Sequence, residues 1–523
     1  MSNTWSDGYI TEVEYTSSFY KELTPALQNL VATIQLVESP PADKPFTYLE
    51  LGCGNGTSAC LLGAANPQGQ FYANDFNPTH ILNAQRLAAE AGIDNVTFLE
   101  KSFAELLEIG LPDFDFIGLH GIASWINAEN LTIIVELIRR KLRPGGMVYV
   151  SYNTQPGWAI SAPMQRLFEA FSGHLTGTVF QRLERCVALA DRLSAGKAKF
   201  FGANPALDIW LKNLKTQDRH YLAHEYLCGN WTAFYASDMH ARMAEAKLTF
   251  VGSANVIENY DDTSVSPDLR QLLRDTPDPG LREMLADFVL NRQFRRDLFS
   301  RGTIRIDTAR QRQVLLQTRF ALVRARASCT LETQVSGGTV RLDDPVFPSM
   351  LDLMAERPRT IAELVGHPAT SSFGADTIVR AMMSIVSLGY AQVCLPAAGD
   401  ADRRKRTDRF NDVVARRATL HGNLRFMASP VLGSGLYVDP VDSIMATALR
   451  EGREPVQFTL ERLQALKQAP VKDGQPITDP AAVRAEMEKR VQNFHDGGLA
   501  FLHALGILTD VRPQPTVAAA VNG

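Results

Sequence analysis

The stretch that most restricts the fold is "TYLELGCGNGTSACLL", residues 47–62, where a short apolar run passes through three alternating glycines into small helix-compatible residues. A strand feeding a glycine turn and a helix start makes a nucleotide-type site by geometry. Glycines let the backbone approach a ligand closely, and the helix N-terminus offers free N–H groups. The same texture then repeats: "QFYAND", "VTFLEKS", "DFDFIGLHG" and "GMVYVSYN" read as strands. Between them "THILNAQRLAAEAG" and "NLTIIVELIRRKLRPGG" read as amphipathic helices, the second stopped at Arg143-Pro144-Gly145-Gly146. Alternating strands and helices predict an α/β, Rossmann-like parallel sheet with helices on both faces and a ligand beyond the C-terminal strand ends.

At 523 residues the chain exceeds one compact core. Residues 1–45 read as a helical entry segment, 46–160 as the Rossmann-like core, and 161–225 as a helical insertion and candidate dimerisation surface. Residues 226–312 close the sheet and include an Arg-rich helical stretch from Pro267 to about Arg312. Residues 313–397 follow the helix, turn, helix, helix, strand order of a winged-helix-like unit, with Gly337-Gly338 as a hairpin turn ahead of it. "PAAGDADRRKRTDR" reads as a surface linker into a helical C-terminal region, 398–523, ending in a frayed tail.

Three ligand classes compete for the glycine turn. A phosphate-binding P-loop needs a Lys after its last glycine, and none follows. The dinucleotide pattern G-x-G-x-x-G fails because Gly52 and Gly54 are followed by Thr57 where the third glycine belongs. What stands here is E-x-G-x-G-x-G, Glu50 through Gly52, Gly54 and Gly56. That suits a ligand without phosphate that carries an ammonium for Glu50, such as S-adenosylmethionine (AdoMet). Asp75, at the end of the next strand, is placed to accept both ribose hydroxyls.

Together "YLELGCGNGTS", "YANDFNPTHI", "DFDFIGLHGIASWINAEN", "RRKLRPGGMVYVSYNTQPGW" and "RHYLAHEYLCGNW" resemble the class I AdoMet-dependent methyltransferases that carry a methyltransferase regulatory domain, a group that includes bacterial protein lysine methyltransferases. The resemblance implies Glu50, Gly52, Gly54, Gly56, Asp75, Phe76, Ser102, Phe103 and His120 as cofactor residues, with S-adenosylhomocysteine as product. Ser102 and Phe103 stand where such enzymes often have an acidic residue near the adenine, and the D/N-P-P-Y/F motif of many amine methyltransferases is missing after the fourth strand.

Methyl transfer asks an enzyme to position and desolvate rather than to supply a strong base. An amine acceptor must arrive neutral, which an apolar aromatic pocket promotes. The candidates for that work are His120, Trp125, Tyr152, Asn153 and Trp158, each of which also has a packing reading. Tyr15, Phe19 and Tyr20 are candidates for a lid or for one face of a plain amphipathic helix. "FRRD", Phe294 to Asp297, reads as a solvated helix face.

The remaining classes find little support. His220 and His224 share a helical spacing, but no third metal ligand is evident and no metal is expected. A net charge of −4 and a single Arg380 in the would-be recognition helix speak against nucleic-acid binding. Six scattered cysteines, no secretory leader pattern and no apolar stretch of membrane-spanning length predict a cytoplasmic chain without membrane insertion. The reading is an AdoMet-dependent methyltransferase acting on a protein lysine. Its alternatives are a small-molecule or natural-product acceptor, and an AdoMet-sensing module without turnover.

Overall fold

A computed structural model describes residues 9–10, 12, 18–260, 265–335, 338–420, 424–472 and 475–512. Helix α1 (Pro25–Ile34) leads into β1 (Phe46–Leu51), α2 (Thr57–Ala65), β2 (Gly69–Asp75), α3 (Pro78–Ala91), β3 (Val96–Glu100), α4 (Phe103–Glu108), β4 (Phe114–Leu119), α5 (Ala128–Lys141) and β5 (Leu142–Asn153). Local signals account for these boundaries. Asn77 caps α3 by accepting from the Thr79 amide, Pro78 fits its first turn, and Gly92 ends it in the left-handed region. Asn127 caps α5, and Arg139, Arg140 and Lys141 face the negative end of its dipole.

Five helices, α6 (Ala162–Ser172), α7 (Val179–Ala195), α8 (Lys199–Ala203), α9 (Ala206–Leu214) and α10 (Arg219–Leu227), form the insertion. They bury a core of their own around Phe168, Leu183, Leu211 and Tyr226. The chain then returns through α11 (Ala236–Glu245), β6 (Leu248–Ser253), α12 (Pro267–Asp275), α13 (Pro279–Leu290) and β7 (Phe294–Arg301).

The sheet order is β3-β2-β1-β4-β5-β7-β6. The first five strands are parallel, and β7 runs antiparallel to both neighbours. Strand alternation separates two cores. Tyr48, Phe71, Phe116 and Tyr149 pack under α1 and α2. Leu49, Ile117, Val148 and Val150 pack under α5 and α11.

Two charge-rich stretches depart from the sequence reading. The span 267–312 is no continuous helix, and "FRRD" is the first half of β7, with Arg295 and Asp297 each 1% exposed. Arg295 is buried because it is paired: it donates to Asp297, Asp287 and Glu283, while the Tyr152 hydroxyl donates to Asp297. The expected linker after Pro396 is instead the start of α18 (Asp400–Leu420), described with the C-terminal region below.

The C-terminal region is mainly helical. After α14 (Thr308–Gln317), strand β8 (Arg319–Leu322) lies between β11 (Arg359–Thr360) and β12 (Ala391–Cys394), and β9 (Glu332–Val335) pairs with β10 (Gly338–Arg341). Gly337 of the expected turn lies outside the described residues. Helices α15 (Val346–Glu356), α16 (Ile361–Gly366) and α17 (Ala375–Ser387) keep the helix order of the winged-helix reading. The third strand of the sheet, however, comes from upstream, and the strands that follow β12, Phe426–Ser429 and Ser434–Tyr437, come after a long helix and pair in a separate sheet.

Helix α18 buries Phe410, Val413 and Val414 against the rest of the molecule. Its Arg406 pairs with Asp94 and its Arg417 with Glu90, which ties it to α3 and the turn after it. The expected frayed tail, residues 512–523, lies outside the described residues from Pro513 onward.

Candidate active site

The strand order reverses between β1 and β4, so their C-terminal ends open a crevice. The glycine turn forms its floor. Gly52, Gly54 and Gly56 all have positive φ, at 70°, 53° and 69°. A Cβ on Gly56 would stand 2.4 Å from the Ala84 Cβ, so that glycine serves close packing of α2 on α3. A Cβ on Gly54 would meet nothing within 4 Å, because that glycine faces open cavity. Asp75 braces the turn by accepting from the Gly54 amide (3.0 Å) through Oδ2. Its Oδ1 accepts from the Asn77 amide (2.9 Å) and lies 3.2 Å from His80 Nδ1. Further lone pairs on both oxygens are left for a diol.

Glu50 is the electrostatic oddity of the floor. Burial, and then the Asp75 carboxylate, push its carboxyl up to about 8, and its Oε2 is buried without a hydrogen-bond partner. A buried carboxylate beside another calls for a cation. The ammonium of AdoMet supplies one, and the open space over Gly54 leaves room for the ligand's chain. The residues present therefore fit this cofactor: Glu50 for the ammonium, Asp75 for the ribose, and the glycine turn beneath.

On the other side, β4 delivers His120. Its ring stacks on Tyr20 with centroids 3.4 Å apart, and Nδ1 lies 2.8 Å from the Tyr149 hydroxyl. Burial, and then the nearby Arg296 guanidinium, lower the imidazole to about 3, so it stays neutral and is a weak base. Trp125, Ile122 and Ile126 continue the wall. Across the cavity Tyr9 packs edge-on to Phe76 and tilted against His224.

Of the residues named from sequence, Glu50, Gly52, Gly54, Asp75, Phe76, Ser102, Phe103, His120 and Trp125 line this cavity. Gly56 supports it from behind. Ser102 also caps α4 in a box with Glu105. Three candidates do not face it. Tyr152 points to the opposite sheet face from Ser151 and Asn153, into the Asp297 network. Trp158 packs in the insertion core against Trp231, centroids 4.8 Å apart. Asn153 is buried at the end of β5 and donates to Glu225 at 2.8 Å.

Of the lid candidates, Tyr20 reaches the cavity, Phe19 packs against Phe426, and Tyr15 lies outside the described residues. His220 contacts Phe180 while His224 contacts Tyr9, so the pair does not converge. The sequence reading missed Tyr9 as a lining residue. The run "RHYLAHEYLCGNW", read from sequence as packing the insertion against the catalytic domain and bordering the substrate cleft, supplies His224 and Asn230.

Comparison with known proteins adds a family. A model described as a methyltransferase domain matches residues 42–189, and one described as a predicted methyltransferase regulatory domain matches residues 218–301. The chain is 38% identical over 504 residues to an uncharacterized protein of Synechocystis sp., covering 96% of this chain and 100% of that protein. It is 25% identical over 300 residues to an uncharacterized protein of Rickettsia prowazekii, 57% of this chain and 53% of that one. Among solved structures, PKMT2 from Rickettsia typhi in complex with AdoHcy superposes with a TM-score of 0.70 over 94% of this chain and 100% of that chain; at 18% identity the likeness is one of fold.

Proposed function

Because the chain belongs to the family of class I AdoMet-dependent methyltransferases whose catalytic fold is joined to a methyltransferase regulatory domain, we propose that it methylates a lysine side chain of a protein. The observation that carries the acceptor class is the state of His120. A wall that lowers a buried imidazole to about 3 disfavours protonation of a nitrogen base there, and a lysine amine brought to it is likewise held neutral and nucleophilic. The resemblance to bacterial protein lysine methyltransferases supports the same class. When bound, AdoMet supplies an electrophilic methyl on a sulfonium. The protein's share is to hold the ammonium on Glu50 and the ribose on Asp75, and to keep water out with Tyr20, His120 and Trp125.

Incubation with methyl-labelled AdoMet and a host lysate tests the reading. Label is expected in protein bands, with S-adenosylhomocysteine formed over many turnovers. Label confined to a small-molecule fraction refutes the protein acceptor, and AdoMet binding without turnover refutes transfer altogether.

A further inference from the structure

Electrostatic accounting at the strand ends leaves a second buried carboxylate to explain. Glu225 on α10 is 2% exposed. It accepts from Asn153 Nδ2 and Trp231 Nε1, both at 2.8 Å. Every one of these partners is neutral. A buried carboxylate satisfied only by neutral donors keeps its net charge uncompensated, which is costly unless a cation arrives.

Its position is one step behind the wall of the methyl-transfer cavity. Glu225 is not among the residues that line it, but the preceding residue on α10, His224, is. Asn153 ends β5, with its amide on the Ser124 hydroxyl beside Trp125. Tyr20 lines the cavity and stacks on His120. Glu50 meets the cofactor's cation from the β1 side, and the acceptor's cation needs a carboxylate of its own.

We propose that Glu225 receives the acceptor ammonium, with Tyr20, Tyr221 and Trp231 as the aromatic surround of its alkyl chain and methylated product. The assignment rests on the lysine reading above. A protonated amine enters as the counter-ion that Glu225 lacks among the described residues, and passes one proton to the carboxylate. The neutral nitrogen then forms a bond to the methyl carbon as the carbon–sulfur bond breaks, with that electron pair staying on sulfur. The methylammonium leaves, and the carboxyl returns its proton to solvent. Burial holds the Glu225 carboxyl above its ordinary range, which suits it to take the proton. The aromatic faces favour the cationic product.

The test compares Glu225→Gln, Glu225→Asp and the unaltered protein in labelling of lysate protein by methyl-labelled AdoMet, with acid hydrolysis to identify the labelled residue. AdoMet affinity by calorimetry serves as the check on folding. Gln keeps the size and the acceptor oxygen but not the charge; Asp keeps the charge but is shorter. The proposal expects transfer to fall on the order of 100-fold in E225Q, with AdoMet affinity within about twofold, and to be partly retained in E225D. A structural role for Glu225 gives the opposite order, Gln above Asp, and that order overturns the proposal. So does E225Q labelling within about threefold of the unaltered protein; if that protein still yields N-methyllysine, the lysine reading survives. Label in another residue or in a small molecule overturns the lysine reading, and the Glu225 assignment falls with it.

Discussion

Substituting alanine at Gly54 and at Gly56 separates cofactor binding from folding within one turn. Both glycines have positive φ, so either alanine bears left-handed strain of about 1–2 kcal/mol. At Gly54 little else is added, because a Cβ there meets nothing within 4 Å. At Gly56 the Cβ would stand 2.4 Å from the Ala84 Cβ and 2.9 Å from a Phe98 ring carbon, in a packed region with no slack. Overpacking of that kind adds about 1–3 kcal/mol, for a total of about 2–5.

Chemical denaturation followed by circular dichroism, with and without AdoMet, reads both effects. Ligand at 100 times Kd stabilises the unaltered protein by about 2.7 kcal/mol. The Gly54→Ala protein is expected to fold nearly normally and to lose most of that increment, because its methyl occupies ligand space. The Gly56→Ala protein is expected to lose stability before any ligand is added. Equal destabilisation of the two variants, or a full AdoMet increment in Gly54→Ala, would refute the division of labour.

Asp75→Ala removes the expected ribose acceptor and a brace on the Gly54 amide, so calorimetry should show AdoMet affinity reduced about 10–100-fold, as for hydrogen bonds to a charged group. Glu50 makes binding proton-linked. With its carboxyl raised to about 8, it is mostly protonated in the free protein at pH 6.5–7, and pairing with an ammonium releases that proton. Calorimetry in two buffers of different ionisation enthalpy should show net release of up to one proton, and equal heats would contradict the assignment. The sign for folding is the reverse of a salt-bridged acid: the raised value costs the ligand-free protein stability as pH climbs from about 4.5 to 8, measurable as a falling denaturation midpoint. Arg295→Met, by leaving Asp297 without a guanidinium and Asp287 with that of Arg292 alone, is expected to destabilise the fold by about 3–5 kcal/mol in the same denaturation assay.

The cofactor half of the site was legible because its logic is local. A strand, three glycines and a carboxylate at the next strand end determine one another within 30 residues, Phe46 to Asp75, and the structure brings them to one floor. The acceptor half is assembled from segments far apart in the chain, so Tyr9, Tyr20 and His224 carry no shared sequence pattern. Tyr152 was misassigned for want of strand phase: alternation puts Tyr149, Ser151 and Asn153 on one face of the sheet and turns Tyr152 to the other, into the Asp297 network. The two misread segments fail for a common reason. "FRRD" and "DADRRKR" look solvated by composition, but Arg295 is buried by pairing with carboxylates, and Arg403 by bonding the carbonyls of Pro396 and Pro430. Charge partners are a tertiary property that the order of residues does not reveal.

The central claim, transfer of a methyl group from AdoMet to a protein lysine, is tested most directly by the chemical identity of the methylated product. Lysate protein labelled by the enzyme and methyl-labelled AdoMet is hydrolysed in acid, and the labelled amino acid is identified by mass spectrometry. N-methyllysine, dependent on the intact Asp75, is the predicted result. Label recovered in any other residue, or none in protein while S-adenosylhomocysteine accumulates, would contradict it.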